Sequence, residues 1–350
     1  MHSEQKQMAS SPTLDQFLDS SAQQDPALEE LVPIIGGIAE AGISLSDLIS
    51  RHGLIDYLDK AGDENSDGDL QTPLDITAHN IFEAALRQLP VSFLASEEEV
   101  EILEIDSRAA YGVAIDPLDG SSNIETNMST GTIFSILSGG AEDLLGQDLG
   151  SRQKAAGFLV YGPQTRLVLT CGAGSFIFLL EPDTRKFYQV GNAVTIPPKQ
   201  REFAINTSNY RFWDDSVRQF IDDCIAGEDG PLGEDFNMRW NASLVAEAYR
   251  ILIRGGVFLY PGDSRPRYQN GRLRLLYEAL PLAFVIEQAG GMASDGNHNI
   301  LESKLVSLHE RIPLIFGSSD RIRDVIEYIT GEAIENTRFP LFGNRGLLRN

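Results

Sequence analysis

AIDPLDGSSN, residues 114–123, ends an apolar run in two acids, a glycine, two serines and an asparagine, and the rest of this 350-residue chain is read outward from it. Residues 112–115 are apolar enough for a strand covered on both faces, and Asp116 stands where that strand emerges. Pro117 fixes the backbone so that Asp116 and Asp119 converge on one spot, while Gly120 lets phosphate oxygens approach the main chain. Ser121 and Ser122 add hydroxyls and N–H donors of the kind that receive phosphate at a helix start or in a nest. Paired carboxylates with no Cys or His beside them suit hard Mg²⁺ rather than zinc. Each residue alone also fits an ordinary strand-end turn; all of them in this order point to a metal-and-phosphate corner.

Just upstream, the apolar run 91–95 stops at Ser96-Glu97-Glu98-Glu99. Three acids at a strand end repel one another unless they are solvated or share a cation. If this strand neighbours the one ending at Asp116, the two sets of acids meet at one sheet edge. Thr72-Pro73-Leu74-Asp75 has the form of a capping box, opening a helix with Ile76, Ile81, Phe82, Ala85, Leu86 and Leu89 as its apolar stripe. Read alone, Asp75 is a helix cap. Residues 60–70, KAGDENSDGDL, read as an exposed loop with the composition of a mobile lid. Asp25-Pro26 looks like a helix start, with Leu28, Leu31, Val32, Ile35 and Ile38 at helical spacing behind it. Pro33 and Gly36-Gly37 then predict two short or kinked segments rather than one rod. Residues 1–11 are polar and read as a frayed end.

Downstream, runs 132–137, 156–161, 166–171 and 175–180 are β-like and are separated by Gly162-Pro163 and Gly172-Ala173-Gly174, which predicts an antiparallel meander. Pro197-Pro198 marks the boundary of two domains, 1–195 and 196–350. Past it, strand-like runs at 203–205, 257–260 and 313–316 are interspersed with helical patterns at 214–225, 242–254, 277–288 and 320–329. That alternation predicts a second α/β layer.

A hydrophobic content of 42% supports a globular core. The net charge of −23 argues against nucleic acid or an anionic membrane as partner, so a phosphate site here needs bound cations or a few focused arginines. Cys171 and Cys224 lack CxxC spacing and read as buried thiols of a reducing compartment. No signal-like segment is evident and no apolar run of about 20 residues stands out, so the expected location is cytoplasmic.

IDPLDGSSN, GTIFSIL from Gly131, GGVFLYP from Gly255 and GRLRLLYEALPLAFVIEQAGG from Gly271 together resemble class I fructose-1,6-bisphosphatase; SEEE from Ser96 and LHERIPLIFGS from Leu308 add to the match. The resemblance covers most of the chain from about Leu74 onward. It implies an α/β fold of two subdomains in an αβαβα layering, the second binding the sugar, in a homotetramer. The implied reaction is Mg²⁺-dependent hydrolysis of the 1-phosphate of fructose 1,6-bisphosphate by metal-activated water. Two or more Mg²⁺ per subunit, with Mn²⁺ as the substitute, would be held by Glu97, Glu98, Asp116, Asp119, Glu278 and the Leu118 carbonyl. Asp75, paired with Glu98, would activate water, and Asp69 would complete the proton path. Asp119, Gly120, Ser121 and Ser122 would also meet the substrate. Asn206, Tyr260, Arg272 and Arg274 would line the sugar and distal phosphate, with Arg239 reaching in from a neighbouring subunit.

The chain departs from the family's commonest pattern at the distal end. Arg272 stands where lysine is usual, and Trp240 replaces a phosphate-binding tyrosine; Asn209 and Tyr210 lie around the position of another such tyrosine. The bland reading of Arg239 and Trp240 is a surface pair before a helix. The family's AMP loop is replaced by GGIAEAGIS, and Ala110 occupies its basic position, so AMP inhibition is not expected. Sedoheptulose-1,7-bisphosphatase activity, alone or in addition, is the nearest alternative, because an open sugar pocket tolerates one more hydroxymethylene. Inositol monophosphatase-like enzymes share the DPLDG logic, but Trp213-Asp214 lacks the small residues that should follow it there. A silent sugar-phosphate sensor on the same fold is the non-enzymatic alternative, against which stands a complete set of the pattern's carboxylates.

Overall fold

A computed structural model describes residues 11–51 and 72–331. The first three helices are α1 (Leu14–Gln24), α2 (Leu31–Ser50) and α3 (Pro73–Leu86). Asp25 does cap a helix, but a 3₁₀ turn of three residues, Pro26–Leu28, and α2 then runs unbroken through Pro33 and Gly36-Gly37. The expected interruption fails for local reasons. Pro33 falls in the first turn, where its missing N–H would have had no intrahelical partner anyway. Gly37 and Gly42 are close-approach positions: a Cβ on Gly42 would lie 2.5 Å from Leu159 Cδ2, so glycine lets α2 settle onto the sheet.

At 20 residues, α2 is long and apolar enough, by length and composition alone, to cross a membrane. This corrects the expectation that no run of that length stands out; Glu40, Asp47 and the scattered serines hide it from a reading of uninterrupted apolar stretches. Here its apolar face is core, with Leu31, Ile34, Ile35, Ile38, Ile43 and Leu45 buried. In α3 the expected stripe is largely right, with Phe82 and Leu86 buried, but Ile76 faces solvent.

Eight strands form the first sheet: β1 (Phe93–Ser96), β2 (Leu103–Glu104), β3 (Tyr111–Asp119), β4 (Thr130–Ser138), β5 (Gln153–Tyr161), β6 (Thr165–Thr170), β7 (Ser175–Glu181) and β8 (Lys186–Gln189). Their order is β2-β1-β3-β4-β5-β6-β7-β8; β1 and β3 are parallel and every other pair is antiparallel, so the expected meander is β4 to β7, extended by β3 on one side and β8 on the other. In the second half β9 (Glu202–Ala204), β10 (Asn237–Met238), β11 (Val257–Tyr260), β13 (Met292–Ser294) and β15 (Leu314–Gly317) form a mixed sheet in the order β10-β9-β11-β15-β13. β12 (Leu273–Arg274) pairs separately with β14 (Arg311–Ile312). The helices of this half are α4 (Asp215–Ala226), α5 (Leu244–Arg254), α6 (Leu280–Gln288) and α7 (Ser319–Thr330).

Strand alternation sorts these elements into layers. Val113 and Ile115 of β3 point into a core shared with α1, α2 and α3, whereas Ala114 between them joins a second core with α5 and α6. Phe258 of β11 closes that second core from the other sheet, and its neighbours Val257 and Leu259 face a third core with α4 and α7. The stack is therefore helix, sheet, helix, sheet, helix, the expected αβαβα fold. Cys224 is buried and Cys171 half-buried; both are unpaired, and burial pushes both thiols up to about 12.

Candidate active site

The acids meet because β1 and β3 lie side by side with Ser96 opposite Ile115. Glu97 follows directly, its N–H donating to the Ile115 carbonyl at 3.0 Å, so the Glu97-Glu98 turn opens beside Asp116. Residues three apart on a regular strand face opposite ways. Between Asp116 and Asp119, however, two residues of β3 lie opposite one of β4, with Asp116 opposite Ile133 and Asp119 opposite Gly131. The extra residue brings Asp119 back to the side of Asp116. The buried Thr132 hydroxyl donates to the Pro117 carbonyl at 2.8 Å and holds the bulge, and the Leu118 N–H donates to Asp116 Oδ1 at 3.0 Å.

Glu278 arrives from the other half of the chain, on a π turn, Leu275–Ala279, that leads into α6. Such widened turns recur at functional sites. Arg274 places its main-chain N–H 2.5 Å from Glu278 Oε2 and its Nε 3.4 Å from Glu97 Oε1. Asp116, Asp119 and Glu278 are all buried, and each offers a carboxylate oxygen within 4.8 Å of the others'.

Burial is the largest influence on all three and raises their carboxyls. Asp116 stands well above the usual carboxylate range, with repulsion from Glu97, Asp119, Glu278 and Glu98 added to burial. Glu278 is raised by burial and then by Glu97 and Asp119. Asp119 is pushed up to about 7, although the N–H groups of Val245 and Leu244 at the start of α5 pull it back. Val245 N–H reaches Asp119 Oδ2 at 3.2 Å. An all-oxygen cluster whose acids repel one another in a buried place fits a hard divalent cation, whose charge would replace the protons that burial otherwise favours.

Asp75 is the helix cap that its sequence suggests: its Oδ2 accepts the Thr72 N–H at 2.6 Å, and its own N–H reaches Thr72 Oγ1 at 3.3 Å. It is also buried, and burial raises its carboxyl against the opposing hydrogen bonds of Thr72 and the hydroxyl of Ser121. Oδ1 has no hydrogen-bond partner among the described residues. Asp69 and the loop proposed as a lid lie outside the described residues. Gly120, at φ 73°, turns the chain into the short 3₁₀ helix Ser121–Asn123, with Ser121 half-buried and Ser122 exposed. Asn123 Nδ2 donates to the Ala242 carbonyl at 2.7 Å and so anchors this turn to the segment entering α5.

The expected distal residues divide into two groups. Arg272 lies with its guanidinium 3.8 Å over the Tyr268 ring, 5.8 Å from the Tyr260 ring centre and 3.9 Å from Asp263 Oδ2. Asn209 is buried and accepts from Arg265 at 2.9 Å, and Arg265 is flanked by Phe212 and Tyr268. The Tyr210 hydroxyl donates to Asp222 at 3.0 Å. Asn206 Oδ1 caps its own turn, accepting from Ser208. Arg274, expected at the sugar, lies beside the acids, with its Nε 3.4 Å from Glu97 Oε1. Arg239 is exposed and 3.9 Å from Glu202 of its own chain, while Trp240 stacks parallel to Phe258 with ring centres 6.0 Å apart. Trp213 is buried in the outer core beside α4, away from the acid cluster, so Trp213-Asp214 plays no part in it.

Two contributors had no legible signal in the sequence: the Val245 N–H, and His79, which bridges α3 to Ser96. Asp263, Arg265 and Tyr268 are different, because a run of cations and aromatics just before Gly271-Arg272 marks them.

Known proteins match along both halves. Residues 12–192 match the family described as fructose-1-6-bisphosphatase, N-terminal domain, and residues 196–330 its C-terminal domain. A protein of Nitrobacter hamburgensis named fructose-1,6-bisphosphatase class 1 is 50% identical over 339 residues, 96% of this chain and 98% of that protein. One of Methylorubrum populi with the same name is 47% identical over 97% of this chain and 98% of its own length. The crystal structure of Leishmania major fructose-1,6-bisphosphatase in holo form superposes with a TM-score of 0.84 at 31% identity, covering 92% of this chain and 99% of that one.

Proposed function

This chain belongs to the fructose-1,6-bisphosphatase family, and from that premise we propose that it hydrolyses the 1-phosphate of fructose 1,6-bisphosphate to give fructose 6-phosphate and inorganic phosphate. The observation that carries the reading is the convergence of Asp116, Asp119 and Glu278, drawn from both halves of the fold, into one buried cluster of oxygen donors. Two or more Mg²⁺ per subunit, with Mn²⁺ able to substitute, would be held by these three with Glu97, Glu98 and the Leu118 carbonyl. When bound, such ions neutralise phosphoryl oxygens, acidify water and stabilise the departing alkoxide.

The protein's own groups do the rest. Asp75 has one carboxylate oxygen with no hydrogen-bond partner among the described residues, so it can accept the proton of the attacking water, with Glu98 beside the cluster and Asp69 passing the proton on. Gly120, Ser121 and Ser122 offer N–H and hydroxyl groups to the phosphate being removed. Arg272, steadied over Tyr268, takes the distal phosphate with Tyr260, Asn206 and Asn209 around it and Arg239 supplied by a neighbouring subunit. That last assignment requires an oligomer, which we infer to be a homotetramer; the exposure of Arg239 in the single chain supports it. The division at 195/196 into a metal-binding and a sugar-binding subdomain, and a cytoplasmic location, belong to the same reading.

A second reading, activity on sedoheptulose 1,7-bisphosphate as well, is favoured by the distal end, where Trp240 lies against Phe258 and the side-chain oxygen of Asn209 is already held by Arg265. Phosphate release from both bisphosphates with and without Mg²⁺, in wild type and Asp116→Asn, tests all of this. The expected result is Mg²⁺-dependent release that the substitution abolishes. Equal inactivity of both proteins with sugar phosphate still bound would establish a sensor instead, and the ratio of kcat/KM values decides between the sugars.

A further inference from the structure

We infer that His79 is a positioning residue for the metal cluster: through Ser96 it fixes the turn carrying Glu97 and Glu98 against the helix carrying Asp75, and so sets the affinity of the cluster for a divalent cation. This rests on the reading of Glu97 and Glu98 as cation ligands. His79 is only 5% exposed. Its Nδ1 lies 2.9 Å from Ser96 Oγ, and its Nε2 lies 3.2 Å from Glu83 Oε2 and 3.5 Å from Glu99 Oε1. Ser96 Oγ in turn lies 3.3 Å from the Glu98 main-chain N–H.

Hydrogen-bond accounting gives this chain a direction. Carboxylates at Nε2 only accept, so Nε2 carries the proton, and in the neutral ring Nδ1 is then an acceptor. With the ring neutral, the Ser96 hydroxyl donates to Nδ1 and keeps its lone pairs for the Glu98 N–H. Donation runs from Glu98 to Ser96 to His79 to Glu83, and Glu83 is gripped by Arg87, whose Nε lies 2.7 Å from Glu83 Oε1. His79 is one helical turn after Asp75, on the same face of α3. One ring thus ties the proposed base to the acids it must act beside.

Serine, histidine and glutamate in this order also resemble a nucleophilic triad. Ser96 is only 1% exposed, however, and within β1 it is paired to Ile115, so no phosphoryl group reaches its oxygen. The arrangement orients and does not attack. Groups that orient cation ligands in this way commonly change metal affinity about 10–100-fold when removed.

The test is Mn²⁺ binding to the full-length, chelator-stripped protein, followed by paramagnetic resonance of the free ion, for wild type, His79→Leu, His79→Asn, Ser96→Ala and Asp116→Asn. His79→Leu and Ser96→Ala are expected to bind Mn²⁺ about 10-fold or more weakly. His79→Asn, whose amide can still meet Ser96, is expected to recover most of the affinity. Affinity within about twofold of wild type in folded Ser96→Ala overturns the inference. That variant, which deletes a single oxygen, decides alone if His79→Leu does not fold. Equal binding by wild type and Asp116→Asn is the separate mark of a failed metal reading, and it removes this inference with it.

Discussion

The main-chain N–H of Val245 donates to Asp119 Oδ2 at 3.2 Å, a hydrogen bond between residues 126 apart in the chain. Asp119 ends the strand that carries the signature stretch, and Val245 opens α5 in the other half of the fold. The start of a helix is where a carboxylate is best received, because its first N–H groups have no partners in the helix and its dipole is positive there. One acid of the cluster is thus positioned by the other half of the molecule.

Gly131, opposite Asp119 on β4, makes room for this contact. A Cβ there would lie 2.2 Å from the Leu159 carbonyl oxygen and 2.5 Å from Val245 Cγ2. Gly131→Ala is expected to destabilise the protein by about 1–3 kcal/mol and to lower kcat by displacing Val245 from Asp119. Urea unfolding together with steady-state kinetics checks both effects; unchanged values in both would show that the two halves are not held in contact through this point.

The metal-free protein should lose stability as pH rises. The Asp119 carboxyl lies at about 7 in the folded state against 3.8 for the free group, so folding favours its protonated form. Its contribution is present in full below about pH 4 and is lost as pH rises through about 7, a change on the order of a few kcal/mol. Asp116 and Glu278 are raised in the same direction. Chelator-treated wild type should therefore be less stable at pH 8 than at pH 5.5 relative to Asp119→Asn, and Mg²⁺ should restore wild type alone. Parallel pH profiles for the two proteins would contradict this.

Asp75→Asn should separate catalysis from binding. The amide keeps the shape of the side chain but cannot take a proton, so kcat is expected to fall about 10²–10⁴-fold. KM and Mn²⁺ affinity should stay within a few-fold of wild type, because Asp75 lies outside the acid cluster. A parallel loss of metal affinity would make Asp75 part of that cluster instead.

Arg272→Ala should act at the far end of the substrate. A hydrogen bond to a charged group contributes about 1.5–3 kcal/mol, so KM for fructose 1,6-bisphosphate is expected to rise roughly 10–100-fold. Hydrolysis of fructose 1-phosphate, which has no distal phosphate, should be untouched. Equal effects on both substrates would move Arg272 away from the distal phosphate.

Much of the site was legible as an inventory. Asp116, Asp119 and the Glu97-Glu98 turn were readable because strand ends and turn chemistry are short-range, and the meander of β4 to β7 followed from its alternating runs and punctuating glycines. Asp75 read as a cap, and it is one; its burial, which suits it to a base, depends on packing that no local pattern reports. The unbroken α2 was missed because Pro33 and Gly36-Gly37 count as breakers until their position in the helix, and that of Gly37 against Leu89, is known.

The sequence by itself determined which acids, glycines and hydroxyls are present, and the order of strands and helices that carry them, since periodicity and turn preferences act over a few residues. Only the tertiary structure decided that a bulge after Asp116 turns Asp119 to the same side, that Glu278 and Val245 reach them from the second half, and that His79 faces Ser96. Those contacts join positions far apart in the chain and exist only once the layers pack, so they depend on burial and register, which no short stretch of residues encodes.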